Sequence, residues 1–214
     1  MIRRELPVSV DIGSKTYKID ADFRTIMNVE GIIFGKEVTD DQKKFAAEMM
    51  KEIDIEEKDA IQNAKYYDAL KLFYKDNVPD DLEEAMEKML WFYSCGKEDK
   101  QSKTKKKVIS FEYDFDYINA GFMQDYKIDL FEVDFLHWWK FMSLFSALHD
   151  DCKICEIIGY RGAELKNFDK EQRKRVREMQ KIYALPDDIS KEEKKRQDEI
   201  TQILLNGGDL SGIL

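Results

Sequence analysis

The chain has 214 residues, of which 37% are charged and 12% aromatic, and a net charge of −9. That length holds one large domain or two small ones with a buried core, and charge combined with aromatics suits a folded helical protein and argues against disorder. The acidic balance works against nucleic-acid binding by the molecule as a whole, no apolar run approaches the ~20 residues of a membrane span, and three cysteines do not make a disulfide framework.

The opening Met1-Ile-Arg-Arg-Glu-Leu-Pro7 lacks the apolar core of a signal peptide, so a reducing cytoplasm is the expected setting. Val8, Val10 and Ile12 alternate with polar residues, as do Tyr17 and Ile19, and Gly13-Ser14-Lys15 lies between them. This predicts a β-hairpin, which must pack on something because a lone hairpin is marginal in water. From Asp22 the period becomes helical, with Phe23, Ile26, Met27, Ile33 and Phe34 on the stripe and Gly35 as the stop. Thr39-x-x-Gln42 is a capping-box pattern before a helix carrying Phe45, Met49 and Ile53. Residues 57 to 75 read as another helix. Asp80-x-x-Glu83 offers a cap for a helix striped by Leu82, Ala85, Met86, Met89, Leu90 and Tyr93, which ends at Cys95-Gly96.

Residues 97 to 107 hold six lysines and no large apolar residue until Val108, which predicts a solvated linker and a soft domain boundary. Beyond it, Ile109, Phe111, Tyr113 and Phe115 alternate, but Phe115, Ile118, Phe122 and Tyr126 follow helical spacing, so a helix is expected from near Asp114 or Asp116. Asp129-x-x-Glu132 reads as the capping box that opens an aromatic helix through Asp134-Phe-Leu-His-Trp-Trp-Lys-Phe141. The polar positions 134, 137, 140 and 143 wind around that helix, which predicts a buried core element, with a helix shared with a partner as the alternative. A short element over 152–158 leads to Gly159-Tyr-Arg-Gly162, read as a tight turn with Arg161 pairing a carboxylate. Asp169 caps a basic helix over 170–184 whose apolar stripe is Val176, Met179 and Ile182, and Pro186 ends it. Ser190-x-x-Glu193 begins a last charged helix. The fold class is therefore mainly α, a helical-bundle-like domain with a small N-terminal β-hairpin. It divides into a hairpin plus helical region (1–96), a lysine-rich linker or loop (97–110), an aromatic-rich helical region (111–189) and a charged C-terminal helix and tail (190–214).

No catalytic constellation stands out. His149-x-x-Cys152-x-x-Cys155 is the only metal-like grouping, and it lacks the second pair that a closed zinc site needs. His137 has no nucleophile motif beside it and reads as a buried, hydrogen-bonded histidine. Gly159–Gly162 does not match a phosphate-binding loop, and Asp114, Asp116, Asp125, Asp129 and Asp134 are too dispersed for a calcium loop. No metal, cofactor or enzymatic activity is expected. The candidate partner-binding residues are Trp138 and Trp139 in the aromatic helix and Arg173, Arg175 and Arg177 in the basic one.

The runs Leu82-Glu-Glu-Ala-Met-Glu-Lys-Met-Leu-Trp-Phe-Tyr-Ser-Cys-Gly-Lys97, Asp134–Phe141, Ile158-Gly-Tyr-Arg161 and Lys170-Glu-Gln-Arg-Lys174 through Tyr183-Ala-Leu-Pro186 resemble the bacteriophage gene-fifteen-product family. So do the hairpin, Asp22-Phe-Arg24 and the lysine-rich segment; the resemblance covers roughly residues 6 to 190. Residues 40 to 75 look longer than the family pattern. The resemblance implies a siphophage tail-morphogenesis protein of Gram-positive phages and prophages, encoded between the major tail and tape-measure proteins. That is the place of a tail assembly chaperone, for which the resemblance implies binding to the tape-measure protein, with the major tail protein and a second copy of the chain as further candidate partners, action in the host cytoplasm and absence from the mature virion. Nine methionines suit adaptable apolar contact with such a client. The alternatives are a structural tail or virion component and a nucleic-acid-binding regulator using 97–107 and 170–181.

Overall fold

A computed structural model describes residues 5–97 and 107–186. The described residues form one antiparallel hairpin, eight α-helices and a single 3-10 turn, the mainly helical fold expected. They pack as two compact units, one containing the described residues 5–97 together with 122–148, the other 107–121 with 149–186.

The first unit opens with β1 (Ser9–Ile12) and β2 (Lys15–Lys18), paired Ser9 to Lys18 through Ile12 to Lys15. Gly13 takes a φ of +55°, as the first position of a two-residue type II′ hairpin turn requires. Val10 and Ile12 point inward, Asp20 N–H bonds the Phe73 carbonyl at 2.8 Å and Gly13 N–H bonds Glu84 at 3.1 Å, so the hairpin is packed as it must be. Helix α1 (Phe23–Phe34) is capped by Asp22 and ends at Gly35. Helix α2 (Asp40–Glu52) has the reciprocal Thr39–Gln42 capping box that its sequence announces. Helix α3 (Glu57–Phe73) lies against both, and its Gln62 and Lys65 side chains donate to the last carbonyls of α1, Ile33 O at 3.3 Å and Gly35 O at 2.5 Å. These bonds satisfy groups that a helix end cannot pair internally.

Helix α4 (Leu82–Tyr93) is capped one residue later than its sequence suggests: Asp81 accepts from Glu84 N–H at 3.0 Å, and the Asp80–Glu83 pair is not used. Cys95 and Gly96 then take positive φ and close the helix, with Gly96 N–H on Trp91 O at 2.9 Å. The aromatic helix α6 (Trp138–Phe145) is shorter than expected. Asp129 does not open it; its carboxylate accepts from Phe131 N–H at 2.9 Å in a local turn, and residues 134–137 run non-helically. The reason is a competing tertiary pairing, in which Phe23 N–H bonds Leu136 O (3.0 Å) and Trp138 N–H bonds Ala21 O (2.8 Å).

The second unit contains the first part of α5 (Phe111–Tyr126), then α7 (Lys153–Gly162), the 3-10 turn Leu165–Asn167 and α8 (Lys170–Ile182). Helix α5 starts at Phe111, ahead of the expected Asp114, because the Asp114 carboxylate reaches back to Ser110 N–H at 2.8 Å. Gly159–Gly162 is the last turn of α7, not a separate tight turn, since a helix begun at Lys153 continues through it. Helix α8 is capped by the Asp169–Gln172 box; Val176 is buried, but Ile182 is 62% exposed and the packing passes to Tyr183 and Leu185.

This division differs from the one drawn at 97–110. Segment 122–148 packs with the N-terminal residues because Phe141 stacks on Phe23 at 5.0 Å and the Trp138 and Trp139 Nε1–H groups donate to Tyr93 O and Phe92 O. Residues 98–106 of the lysine-rich segment and the helix expected from Ser190 lie outside the described residues. Among the described residues, no helix is long and apolar enough to cross a membrane.

Candidate functional surfaces

In the first unit, three stretches far apart in sequence meet around α6. Phe141 is its centre, stacked with Phe23 (5.0 Å), Phe122 (5.1 Å) and Trp138 (5.6 Å). Trp138 is 1% exposed and its Nε1–H donates to Tyr93 O at 2.9 Å; Trp139 is 8% exposed and its Nε1–H donates to Phe92 O at 2.8 Å. The two indoles thereby reach carbonyls in the last turn of α4, where the i+4 N–H partners of a continuing helix are missing. Gly96 completes the contact. A Cβ there would meet the Trp139 ring at 3.0 Å, and its φ of +69° already favours glycine. Both tryptophans are thus core residues of this unit.

Asp22, Phe23 and Arg24 hold the segment before α6. The Asp22 carboxylate accepts from Arg24 N–H (2.9 Å) and Leu136 N–H (3.2 Å), while Arg24 Nη2 donates to Leu130 O at 3.1 Å and to Val133 O. His137 caps α6: its Nδ1 accepts from Trp139 N–H at 3.1 Å and its Nε2 lies 2.9 Å from Pro7 O. Since a carbonyl only accepts, Nε2 carries the proton and the ring is neutral. Burial lowers the His137 pKa, with the Pro7 bond opposing it weakly, as suits a histidine with a structural role. Burial likewise raises the pKa of the Tyr93 hydroxyl.

In the second unit Arg161 is the hub. Its Nη1 and Nη2 grip Asp114 at 2.6 and 2.9 Å, Nε donates to Tyr183 O at 2.6 Å and Nη1 also to Val108 O at 3.2 Å. The pair is buried, 6% and 1% exposed at the two side chains, and the carboxylate expected for Arg161 is therefore Asp114. Cys152 is buried as the N-cap of α7, Cys155 is half-buried and His149 is exposed. Among the described residues, no group of three or more His, Cys, Asp or Glu side chains is placed to hold a metal.

What remains outside is surface. Helix α4 carries two apolar faces: Ala85, Met89 and Phe92 are buried, whereas Leu82 and Leu90 are 48 and 50% exposed, with Met86 half-buried between them; Trp91 lies on another side, in edge contact with Trp139 at 5.3 Å. Leu82, Met86 and Leu90 follow i, i+4, i+8 spacing and so line up along the helix. Phe131 and Phe135 project from the segment that Asp22 and Arg24 anchor. Helix α8 has six cations against two anions, and Arg173, Arg175 and Arg177 are all exposed. The structure separates them. Arg173 and Arg177 share a side with Lys170, Lys174 and Lys181, and Arg173 Nε is bonded to Phe168 O at 2.6 Å. Arg175 lies off that side, where its charge helps to lower the Glu156 pKa after the Lys153 and Tyr160 bonds. Sequence reasoning missed the outer face of α4 because it named a single stripe and did not divide it into a buried and an exposed side.

The motif residues that meet in each unit are those of a phage protein family. The chain belongs to it: the family described as Bacteriophage Gp15 protein matches residues 2–185. The match takes in residues 40–75 and stops before the charged C-terminal tail. Comparison with curated proteins and with solved structures yields no match.

Proposed function

We propose that this phage protein is a tail assembly chaperone that binds the tape-measure protein non-covalently in the host cytoplasm and is left out of the mature virion. The observation that carries the reading is the second apolar face of α4. A helix already anchored through Ala85, Met89 and Phe92 still presents Leu82 and Leu90 to solvent on one stripe. Clustered apolar side chains on a well-anchored helix, flanked by Glu83 and Glu87, suit recognition of an apolar helical client in a helix-against-helix mode. The net charge of −9 helps to keep such a complex soluble. The family motifs go into building the two cores, and binding is left to the surfaces; neither requires a nucleotide, a metal or a covalent step. The major tail protein is a further partner of the same role.

Co-expression tests this. The chain is expected to raise the soluble yield of the tape-measure protein, and the exposed double variant Leu82→Glu with Leu90→Glu to lose that effect while keeping its own helicity, since exposed changes cost within ~0.5 kcal/mol each. An unchanged client yield with the parent chain contradicts the proposal.

A further inference from the structure

Two surfaces in different units are left over by the folding argument, and they are complementary. The first is the segment 129–136. Leu130 and Leu136 are buried and the backbone is held by Arg24 and Asp22, yet Phe131 and Phe135 are 61 and 55% exposed, beside Glu132 and Asp134. This is a rigidly held aromatic and acidic knob, and held aromatics that lose little entropy on docking are effective interface anchors. The second is the outer side of α8. Lys170, Lys174, Arg177 and Lys181 follow i, i+4, i+7, i+11 spacing and share one exposed side of the helix. Cations seek acidic groups and aromatic faces, and the knob offers both.

We infer that the chain associates with further copies of itself head to tail, the Phe131/Phe135 knob of one copy docking on the cationic side of α8 of the next. The two surfaces differ, so each copy keeps one of each free after pairing. Such a heterologous contact propagates into a ring or a filament, whereas a self-complementary contact would stop at a dimer. A repeating array would offer many α4 faces to a long client. The inference itself needs no client, so it stands or falls separately from the chaperone reading.

Sedimentation of the full chain alone decides it. At about 50 mM salt and about 100 µM protein the parent chain is expected to form species larger than a dimer, and at about 500 mM salt to return to monomer, because screening weakens exposed charge contacts. Phe131→Ala with Phe135→Ala removes the knob, and Lys174→Glu with Arg177→Glu removes the cationic side; each variant alone is expected to stay monomeric. Mixed, the two variants still own one intact surface apiece and are expected to form a one-to-one dimer and nothing larger. A parent chain that is monomeric at low salt overturns the inference, as does association that ignores salt. Mixed variants that stay apart, each having kept the parent's circular dichroism, overturn it too.

Discussion

Trp138 and Trp139 are neighbours in sequence with equal side chains, and the structure makes them unequal. Trp138→Ala removes a ring that is 1% exposed and packed on Tyr93 and Phe141 at 5.7 and 5.6 Å. It also strips the Tyr93 carbonyl of its Nε1–H donor, leaving it only the Cys95 thiol at 3.9 Å. Truncating a buried tryptophan costs ~3–5 kcal/mol, and leaving the half-buried Tyr93 carbonyl short of its partner adds ~1 kcal/mol, the low end for a lost hydrogen bond. Trp139→Ala removes a slightly more exposed ring, and the Phe92 carbonyl keeps the Cys95 N–H at 3.0 Å. Its cost belongs near ~3 kcal/mol. The expected order is therefore Trp138→Ala well below Trp139→Ala in stability, by ~1 kcal/mol or more. Against a total of ~5–15 kcal/mol, the first variant approaches unfolding at room temperature. Urea titration followed by far-ultraviolet circular dichroism measures both without relying on tryptophan emission. Trp138→Phe, which keeps a ring but loses the N–H, should fall between the parent and Trp138→Ala. Equal costs for the two alanine variants, or the reverse order, would refute the reasoning about the α4 carbonyls, and parental stability in both would show that α6 is not core.

Arg161→Ala should destabilise by ~3–5 kcal/mol, because it leaves the Asp114 carboxylate buried without its cation and deprives the Tyr183 and Val108 carbonyls of donors. Replacing both members, Arg161→Met with Asp114→Leu, should cost less than Arg161→Ala alone, and urea midpoints compare them. His137 is held neutral with a lowered pKa, so its contribution to stability is present above the unfolded value of ~6.5 and is lost as pH falls below it. The parent should therefore lose more stability than His137→Asn between about pH 7.5 and about pH 5.5, since asparagine can still cap α6 and does not titrate; matching losses in urea titrations at the two pH values would contradict this.

Much of the architecture is legible in the chain wherever a local rule acts alone. Thr39 with Gln42 and Asp169 with Gln172 are caps whose partners lie three residues away, and Gly13 marks its turn by itself. The misreadings arise where a distant group competes with a local one. Asp129 with Glu132 spells a helix start, but Ala21 and Phe23 take the backbone of Leu136 and Trp138 into a bridge and delay the helix. Asp114 looks like a helix-opening acid, and it instead lies inside α5, bound to Arg161 47 residues away. The same limit applies to the surfaces. Periodicity marks Leu82 and Leu90 as apolar stripe, but it does not say that α3 and the hairpin occupy only the Ala85–Met89–Phe92 side of α4. Burial of Trp138 and Trp139, and exposure of Phe131 and Phe135 nearby, depend on Asp22 and Arg24 from another part of the chain.

The role proposed for this chain is transient, which quantitative mass spectrometry of an infected or induced culture can read directly. The ratio of this chain to the tape-measure protein should be high in the lysate during tail assembly and fall to background in purified particles. Retention in purified particles at a fixed ratio to the tail proteins would contradict a chaperone and make the chain a structural component of the tail.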